Sequence, residues 1–406
     1  MNTTQMTDKL SVRALNAISD VPADLWNGLA EVVPGRTVNP FTRHEFLSCL
    51  EDSGCVGGLS GWAPHHVIVD AERNDAAAEG VLGAMPCYVK SHSQGEYIFD
   101  HGWADAYERA GGRYYPKLQA AVPFTPVSGP RFLIGSGPGH ADRRALLAHC
   151  FIELARNSGL SSAHATFCTM DEWKTLGGTA SNCDLLSRST QQFHWLNRGY
   201  QSFDDFLAAL SSRKRKTVRK ERSTVRDHRL DIRHLTGKEI TEAHWDAFFD
   251  FYLDTGLRKW GRPYLNRRFF SLLGERMGND CLLILAERAG RPVAGALHVL
   301  STDCIYGRYW GAVEHHPCLH FELCYYQAIE YAITHGMSRV EAGAQGEHKL
   351  LRGYEPVETY SLHWISDPGF RRAVARFLNE ERRHIAEQRE MLAEYLPFKR
   401  GKVEED

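Results

Sequence analysis

At 406 residues the chain is long enough for two domains, and 43% hydrophobic with 24% charged residues is the composition of a soluble globular protein with a sizeable core. The formal net charge of −2 and the sequence pI of about 6.9 exclude a global field that attracts DNA or membranes, so a polyanionic partner has to meet a local patch. The N-terminus lacks an apolar segment and no apolar run has membrane-spanning length, which predicts a cytoplasmic protein without a membrane span.

Ten cysteines are scattered along the chain without a C-x-x-C pair. Most stand in apolar surroundings, which predicts reduced, buried thiols. Four potential metal ligands lie close in sequence, namely His315, His316, Cys318 and His320. Their spacing matches no structural zinc site, so we predict no metal. No G-x-S-x-G motif supports a nucleophilic serine.

Predicted helices and strands alternate in the first half of the chain. We predict helices over residues 22–29, 43–50 and 142–158. We predict strands over residues 66–70, 80–89, 97–99, 131–134, 164–168 and 191–196. Residues 100–115 mix aromatic and charged side chains that suit the wall of a site better than a core. The candidates in this segment are Asp100, His101, Trp103 and Tyr107.

A glycine-rich loop, Gly135-Ser-Gly-Pro-Gly-His140, lies between a predicted strand and a predicted helix. Backbone N–H groups and the helix dipole would face an anion there, as in a phosphate cradle. Pro138 removes one donor and no Lys-Ser/Thr pair follows, so an ordinary turn is the alternative.

The most biased segment is 199–229, in which residues 211–226 contain eight basic side chains. On a helix, four of these would stack along one face and meet phosphate groups of a donor. They are Arg215, Arg219, Arg222 and Arg226. No aromatic residue interrupts the run, so base stacking is not predicted, and a solvated charged helix is the alternative.

The second half repeats the alternation. We predict helices over residues 245–257, 265–277, 321–335 and about 370–395. Strands over 281–287, 292–300 and 304–310 form a predicted meander, and further strands are predicted over 338–342 and 359–365. Candidate cleft residues on or beside the third strand of the meander are Tyr306, Arg308, Trp310, His320 and Glu322.

A dense polar loop runs from Val340 to Tyr354 and has no apolar periodicity, so neither a core strand nor an amphipathic helix explains it. Acid, base and cationic side chains within one short turn are what acid–base or anion-binding chemistry needs. A polar surface loop is the alternative. The candidate residues of the loop are Glu341, Gln345, Glu347, His348, Lys349, Arg352 and Tyr354.

Three antiparallel strands, a helix and another strand follow the order of the GNAT acyltransferase core, and the chain contains two such series. Three segments resemble the second domain of the Fem family, which transfers amino acids from aminoacyl-tRNA to peptidoglycan precursors. They are the basic run Ser212-Arg-Lys-Arg-Lys-Thr-Val-Arg-Lys-Glu221, Tyr264-Leu-Asn-Arg-Arg-Phe-Phe270 and Arg291-Pro-Val-Ala-Gly-Ala-Leu297.

Four further motifs resemble the FemAB-like, GNAT-related proteins of proteobacteria, and together they cover most of residues 38–380. They are Asp100-His-Gly-Trp-Ala-Asp-Ala-Tyr107, Ala121-Val-Pro-Phe-Thr-Pro-Val-Ser-Gly-Pro-Arg131, Leu319-His-Phe-Glu-Leu-Cys-Tyr-Tyr326 and Glu341-Ala-Gly-Ala-Gln-Gly-Glu-His-Lys349. The resemblance implies an α/β (α+β) fold of two tandem GNAT-like domains with mixed sheets, which we place at residues 1–198 and 199–406. It also implies an acyl or aminoacyl transfer.

One departure from the GNAT pattern bears on the donor. Enzymes that use acetyl-CoA carry a Gln/Arg-x-x-Gly-x-Gly/Ala loop before the central helix, where backbone N–H groups hold the pyrophosphate. The equivalent stretch, Trp310 to Glu322, lacks a second glycine, contains Pro317 and carries two glutamates that would repel a pyrophosphate. We therefore predict no required cofactor and an aminoacyl-tRNA as the donor, with acyl-CoA as the alternative.

Aminoacyl transfer needs a positioned amine and ester, a base and a stabilised oxyanion. In the polar loop the base would be Glu341 or Glu347, with His348 as the alternative. Lys349 and Arg352 would hold a carboxylate or phosphate. The acceptor would be an amine of a small molecule or peptide, bound also by Gln345 and the cleft residues, with Tyr354 as a proton donor and the candidates of residues 100–115 closing the cleft. A non-catalytic module that binds a peptidoglycan-type peptide or an amino acid is the second hypothesis.

Overall fold

The computed structural model describes residues 9–30, 39–72, 80–136, 139–178, 183–259, 263–343 and 346–399, without the side chains of Lys9, Glu72, Lys259 and Glu347. The chain forms two compact units, each made of two segments. Unit 1 comprises Met1–Thr190 and Thr359–Arg382, and unit 2 comprises Gln191–Glu358 and Arg383–Asp406. The predicted division after residue 198 does not include this exchange of segments.

Helices and strands alternate through the first half of the chain. In order they are β1 (Lys9–Leu15), α1 (Ala23–Ala30), α2 (His44–Asp52), β2 (Trp62–Pro64), β3 (His66–Glu72), β4 (Gly80–Met85), β5 (Cys87–Lys90), α3 (His101–Arg109), β6 (Lys117–Ala120), α4 (His140–Asn157), β7 (Ser162–Cys168), α5 (Met170–Leu176) and β8 (Leu186–Leu196).

The second half continues in the same way. Its elements are α6 (Phe203–Ala209), α7 (Ser212–Asp227), β9 (Asp231–Thr236), α8 (Glu242–Lys259), α9 (Arg267–Met277), β10 (Cys281–Arg288), β11 (Arg291–Leu300), β12 (Cys304–Ala312), α10 (Leu319–Phe321), α11 (Gln327–Thr334), β13 (Arg339–Glu341), β14 (Glu355–Ile365) and α12 (Pro368–Glu394). A π-helical turn, Glu322–Tyr326, joins α10 to α11, and a 3-10 helix, Glu347–Arg352, precedes β14.

Most predicted elements are confirmed, but two predicted strands are wrong. Tyr97 has a φ of 59°, which interrupts an extended strand over 97–99. In the segment 131–134, the backbone N–H groups of Arg131 and Phe132 both donate to the Glu172 carboxylate at 2.8 Å, which leaves a single isolated bridge to a strand. The strands β1, β2, β6 and β9 and the helices α3 and α5 were not predicted.

In unit 1 the strands run in the order β2, β5, β6, β7 and then the Tyr360–Ile365 part of β14, with β6 and β7 parallel. A separate antiparallel sheet has the order β1, β3, β4. Every residue of β7 is buried, as expected for a strand that is covered on both faces. Its apolar side chains join those of β6 and α4 in one core, which includes Leu118, Phe151 and Ala165.

In unit 2 the order is β9, β10, β11, β12, β13 and the C-terminal part of β8. Strands β10 to β12 form the predicted antiparallel meander, β9 adds an unpredicted antiparallel strand beside β10, and β13 pairs with β12 in parallel. The β10–β11 hairpin turns through Ala289 and Gly290, whose φ values of 50° and 73° are those of a two-residue hairpin turn. The helices α10 and α11 and the π-helical turn between them connect β12 to β13.

The ten cysteines, all within the described ranges, are thiols outside any disulfide. Eight of them are buried, which confirms the predicted environment for those eight, whereas Cys318 and Cys324 are partly exposed. No helix in the described ranges is both long and apolar enough to cross a membrane.

Candidate functional site

The parallel strands β12 and β13 of unit 2 pair over three residues and then part. Tyr306 with Glu341 is the last pair, while β12 continues to Ala312. Strand β11 pairs with Gly307 and Tyr309, so that Arg308 is an extra, bulged residue at the point of separation. After the pair of Tyr306 with Glu341, the described residues that follow β13 do not pair with β12. We call the opening between residues 307–310 and 342–343 the notch, and its strand edge is suited to bind an extended ligand.

Glu341 ends β13 at the mouth of the notch and is 5% exposed. Arg339 Nε donates to Glu341 Oε1 at 3.1 Å, and the same guanidinium contacts Asp303 Oδ2 at 2.7 Å and the Tyr306 hydroxyl at 3.3 Å. His194 Nε2 lies 3.8 Å from Glu341 Oε2, beyond hydrogen-bond distance. Among the described residues Oε2 has no hydrogen-bond partner. A buried carboxylate oxygen in this state is placed to accept a proton or an N–H group from a ligand.

Two neighbours of Glu341 are held in their neutral forms. Burial lowers the pKa of His194, and the positive charges of Arg339 and Lys349 act in the same direction, although Glu341 opposes them. Burial also raises the pKa of the Tyr306 phenol. The site therefore surrounds one carboxylate with a cation and neutral polar groups, an arrangement that suits proton transfer.

Lys349, in the 3-10 helix after the notch, is 2% exposed. Its Nζ donates to the Gly343 carbonyl at 2.9 Å, and burial lowers its pKa to about 8. Gly343 and Gly346 have φ values of 78° and 118°, which only glycine adopts readily, so these two residues let the loop fold Lys349 back over residue 343. No carboxylate whose position is described lies within ion-pair distance of Nζ, so a ligand carboxylate or phosphate would complete its environment.

Arg352 is engaged within unit 2. Its guanidinium makes a bidentate ion pair with Glu221, with a shorter Nη2–Oε1 distance of 2.7 Å, and lies 3.4 Å from the centroid of the Phe321 ring. Nη1 also donates to the His348 carbonyl at 2.8 Å. These contacts fasten the 3-10 helix to α7, and Glu221 already neutralises the cation that was predicted to hold a substrate anion.

The remaining loop candidates have varied surroundings. His348 is exposed, and its Nε2 lies 2.9 Å from the hydroxyl of Tyr325. Tyr354 is fully buried, its ring centroid lies 5.4 Å from that of Tyr325, and burial raises its pKa. Gln345 lies outside the described residues, as does the side chain of Glu347, whose backbone begins the 3-10 helix.

The candidates around β12 fall into two groups. The Trp310 and His320 rings meet edge to face at 5.2 Å, and the Arg308 guanidinium lies 5.2 Å from the Tyr309 ring centroid. These side chains are partly exposed beside the notch. Glu322, in contrast, is buried and accepts hydrogen bonds from Arg222 at 3.0 Å and from Gln327 at 2.7 Å, which fixes α7 to the π-helical turn.

The predicted basic helix is confirmed as α7, but its four stacked arginines differ in their contacts. Arg222 forms ion pairs with Glu322 and Glu330, Arg219 lies 3.5 Å from Asp204, Arg215 is partly buried and Arg226 is exposed. Val218 and Val225 are the buried residues of the helix. A second set of cations, each of which is exposed, occurs at helical spacing. We call it the basic face of α7, and it consists of Arg213, Lys216 and Lys220.

The candidates from residues 100–115 belong to unit 1. Asp100 is buried, and it accepts hydrogen bonds from Lys117 Nζ at 2.5 Å and from the Tyr114 hydroxyl at 2.7 Å. Burial alone would raise the pKa of Asp100, but the Lys117 ammonium holds it well below its usual range. Trp103 is buried, whereas His101 is exposed and Tyr107 is partly buried and stacks on a phenylalanine ring.

Lys117 is the centre of a buried ionic cluster that the sequence did not indicate. Its Nζ also contacts Glu96 Oε2 and Ser93 Oγ, each at 2.8 Å. A second buried cation, Lys90, lies 3.9 Å from Glu96 Oε1 and 3.7 Å from the Trp62 ring centroid. Burial lowers the pKa of Lys90 to about 7 and raises that of Glu96 to about 7.

A pH dependence of stability follows from Lys90. Between pH about 7 and its ordinary pKa of 10.5, the unfolded chain binds a proton at Lys90 that the folded chain does not. The contribution of this residue to stability therefore rises with pH across that window. We expect Lys90→Met to flatten this part of the profile, measured as unfolding temperature between pH 7 and 10; an unchanged slope would show that Lys90 is charged in the folded protein.

Unit 1 also contains two parallel strands that pair over three residues, as β12 and β13 do at the notch. Beyond the last pair, however, other residues of unit 1 form hydrogen bonds with the strand. Strands β6 and β7 pair in parallel up to Ala120 with Ala165. The next carbonyls of β7 accept from the chain itself, with Arg131 Nε donating to Thr166 at 2.9 Å and the Gly129 N–H to Phe167 at 2.9 Å. Arg131 is completely buried. Within the described residues, the open edge between parallel strands is therefore found in unit 2.

No three histidine, cysteine, aspartate or glutamate side chains in the described ranges are grouped as metal ligands. Sequence reasoning found Glu341 and Lys349, but it missed the side chains that surround them, notably His194 and Arg339. Both lie in strands that have no unusual local pattern. His194 lies beside Glu341 only because β8 pairs with β13, which brings together two residues that are 147 positions apart in the sequence.

The FemAB-like family model, described as peptidoglycan biosynthesis/recognition, matches residues 17–400. The solved structure of FemX is similar with a TM-score of 0.53 and 11% identity, covering 87% of this chain and 98% of that one. A conserved protein of unknown function from Bacteroides thetaiotaomicron has a TM-score of 0.49 and 12% identity, covering 88% and 100%. A tandem GNAT protein from the clavulanic acid biosynthesis pathway has a TM-score of 0.44 and 14% identity, covering 89% and 99%.

No curated protein matches the chain. At these identities the solved structures are evidence for the fold alone. The predicted α/β fold of two GNAT-like domains with mixed sheets is confirmed. The family model covers nearly the whole sequence, including the notch and its flanking loop. The chain belongs to the FemAB-like family.

Proposed function

We propose that the protein is a transferase that moves an aminoacyl or acyl group onto an amine, with the notch of unit 2 as its active site. The observation that carries this proposal is the buried Glu341 at the point where β12 and β13 part, with Oε2 unpaired among the described residues. A carboxylate held in this way can take the proton of an attacking amine. The nitrogen then bonds to the carbonyl carbon, the ester or thioester bond breaks, and the leaving atom takes up a proton.

Lys349 supplies the second part of the proposal. Its buried ammonium lacks a described acidic partner and lies at the carbonyl of Gly343, two residues after Glu341. A carboxylate or phosphate of the substrate would compensate its charge. A peptide acceptor with a free amine and a carboxylate fits this pair of charges, which agrees with the peptidoglycan biosynthesis/recognition description of the family.

We further propose that the donor is an aminoacyl-tRNA. The basic face of α7 offers three exposed cations in a chain whose net charge is −2, and a polyanionic donor is the kind of molecule that such a patch attracts. Acyl-CoA is the alternative, and it is less favoured because the stretch from Trp310 to Glu322 has a proline and two glutamates where a pyrophosphate would bind.

The donor is tested by ligand binding to the purified protein. We expect uncharged tRNA, but not CoA, to raise the unfolding temperature, and ribonuclease to remove any absorbance at 260 nm that copurifies. Consumption of aminoacyl-tRNA with an amine acceptor then establishes transfer. Stabilisation by CoA alone would replace the donor, and binding of a peptide without consumption of either donor would favour a non-catalytic recognition module.

The basic face gives a prediction about salt dependence. Replacing Arg213, Lys216 and Lys220 together by alanine should weaken tRNA binding and lower the slope of log K against log salt by about 2–3, because each lost phosphate contact removes roughly one unit. The control replaces three exposed cations elsewhere in unit 2, namely Lys238, Arg268 and Arg291. Equal slopes for the two triple variants would exclude the basic face as the tRNA contact.

A further inference from the structure

His298 is a buried histidine in the middle of a strand that looks like ordinary core in the sequence. It lies on β11 with 1% exposure, and burial lowers its pKa to about 4, although a hydrogen bond to the Leu323 backbone, outside normal geometry, acts in the opposite direction. The imidazole is therefore neutral at pH 7 and offers one N–H donor and one acceptor. Neither ring nitrogen has a hydrogen-bond partner of normal geometry among the described residues.

The position of His298 connects it with the notch. It pairs with Gly307, the residue before the bulge in β12. A Cβ atom added to Gly307 would lie 3.6 Å from His298 Nδ1, 3.4 Å from the Glu341 carbonyl oxygen and 3.5 Å from Ala342 Cα. Glycine at 307 thus leaves space between the imidazole and the end of β13, where the two strands part.

His298 and Glu341 reach this place from opposite faces of the sheet. His298 shares its face with Ala296, which packs against Leu319 and Leu323 of the helical segment after β12. Val340 packs against the α11 side, so the next residue, Glu341, points to the other face. The helical segment above His298 contains the π-helical turn Glu322–Tyr326, a feature that is frequent at functional sites.

We propose that His298 is a further catalytic residue of the transferase site, whose imidazole N–H donates a hydrogen bond to the carbonyl oxygen of the transferred group. The inference rests on the proposed transferase function. As the acceptor nitrogen bonds to the carbonyl carbon, an electron pair moves onto this oxygen, and the N–H group stabilises the developing charge. The amine proton goes to Glu341 on the opposite face, and His298 neither gains nor loses a proton.

The alternative role for a buried histidine is structural, and stability distinguishes the two roles. Removing a buried polar group that lacks a hydrogen bond of normal geometry, by a replacement of similar shape, is neutral or stabilising, whereas removing a structural hydrogen bond is destabilising. If His298 acts in catalysis rather than in folding, replacing it should therefore not lower the stability of the protein.

The test compares His298→Phe, His298→Asn and Glu341→Gln in the same transfer assay, together with their unfolding temperatures. We expect His298→Phe to lower kcat by about 10²–10³-fold, the usual effect of losing one oxyanion donor, with an unchanged or higher unfolding temperature. His298→Asn, which restores an N–H donor, should recover part of the loss.

Full activity of His298→Phe beside an inactive Glu341→Gln would overturn the role of His298 and leave the proposed function standing. A drop of several degrees in the unfolding temperature of His298→Phe would make the residue structural and overturn the inference without any assay. A wild-type protein that transfers no group from tRNA or CoA would remove the proposed function and this inference with it.

Discussion

Glu341→Gln is expected to lower kcat for amine acylation by about 10²–10⁴-fold while the protein stays folded. The amide keeps the shape of the carboxylate, and its oxygen can still accept the hydrogen bond from Arg339 Nε. It cannot take the proton of the acceptor amine, so the chemical step slows. The measurement is single-turnover transfer from the donor, with circular dichroism to show that the variant is folded.

Glu347→Gln is the matched variant, because Glu347 lies six residues away in the same loop and was the other acid predicted as the base. We expect it to retain far more activity than Glu341→Gln. The reverse ranking would assign the base to Glu347. A partly exposed acid of unit 2, Glu314, provides the surface control, and Glu314→Gln should behave as wild type.

The largest expected effect on stability comes from Lys117→Met in unit 1. Lys117 is fully buried and contacts the carboxylates of both Glu96 and Asp100. Methionine has a similar length but leaves the two carboxylates buried without their main cation. Breaking a buried ion pair from one side typically costs about 3–5 kcal/mol. For a unit of this size that corresponds to a fall of roughly 6–20 °C in unfolding temperature, measured by calorimetry.

Lys90→Met at pH 7 is the control for Lys117→Met. Lys90 is equally buried, but its contact with Glu96 is 3.9 Å and burial has already lowered its pKa to about 7. Removing this cation should therefore change the unfolding temperature far less. Similar losses in the two variants would mean that packing volume, rather than the charges on Glu96 and Asp100, determines the effect.

The sequence was informative where local pattern and local structure coincide. The basic run forms the helix α7, and the turn at Ala289 and Gly290 joins two strands of the predicted meander. Both features depend on residues that are neighbours in the chain. The polar loop after β13 was also identified, because its glycines and ionisable residues have no place in a regular amphipathic element.

The contacts of the candidate residues could not be predicted in the same way. Arg352 and Glu322 read as substrate-binding residues, yet each has a charged partner about a hundred or more positions away, Glu221 and Arg222 respectively. In the sequence His298 stands among apolar residues, so it is interpreted as part of an ordinary core strand. Only strand pairing and helix packing show which ionisable groups are neutralised and which face an opening.

The exchange of segments between the units has a consequence for synthesis on the ribosome. Strand β7 of unit 1 receives one of its two neighbours from Tyr360–Ile365, although the first segment of that unit ends at Thr190. At about 5–20 residues per second, roughly 10–35 s pass before this partner is made. During that time one edge of a strand that is fully buried in the folded protein is unpaired, a state that is prone to aggregate and that a chaperone would protect.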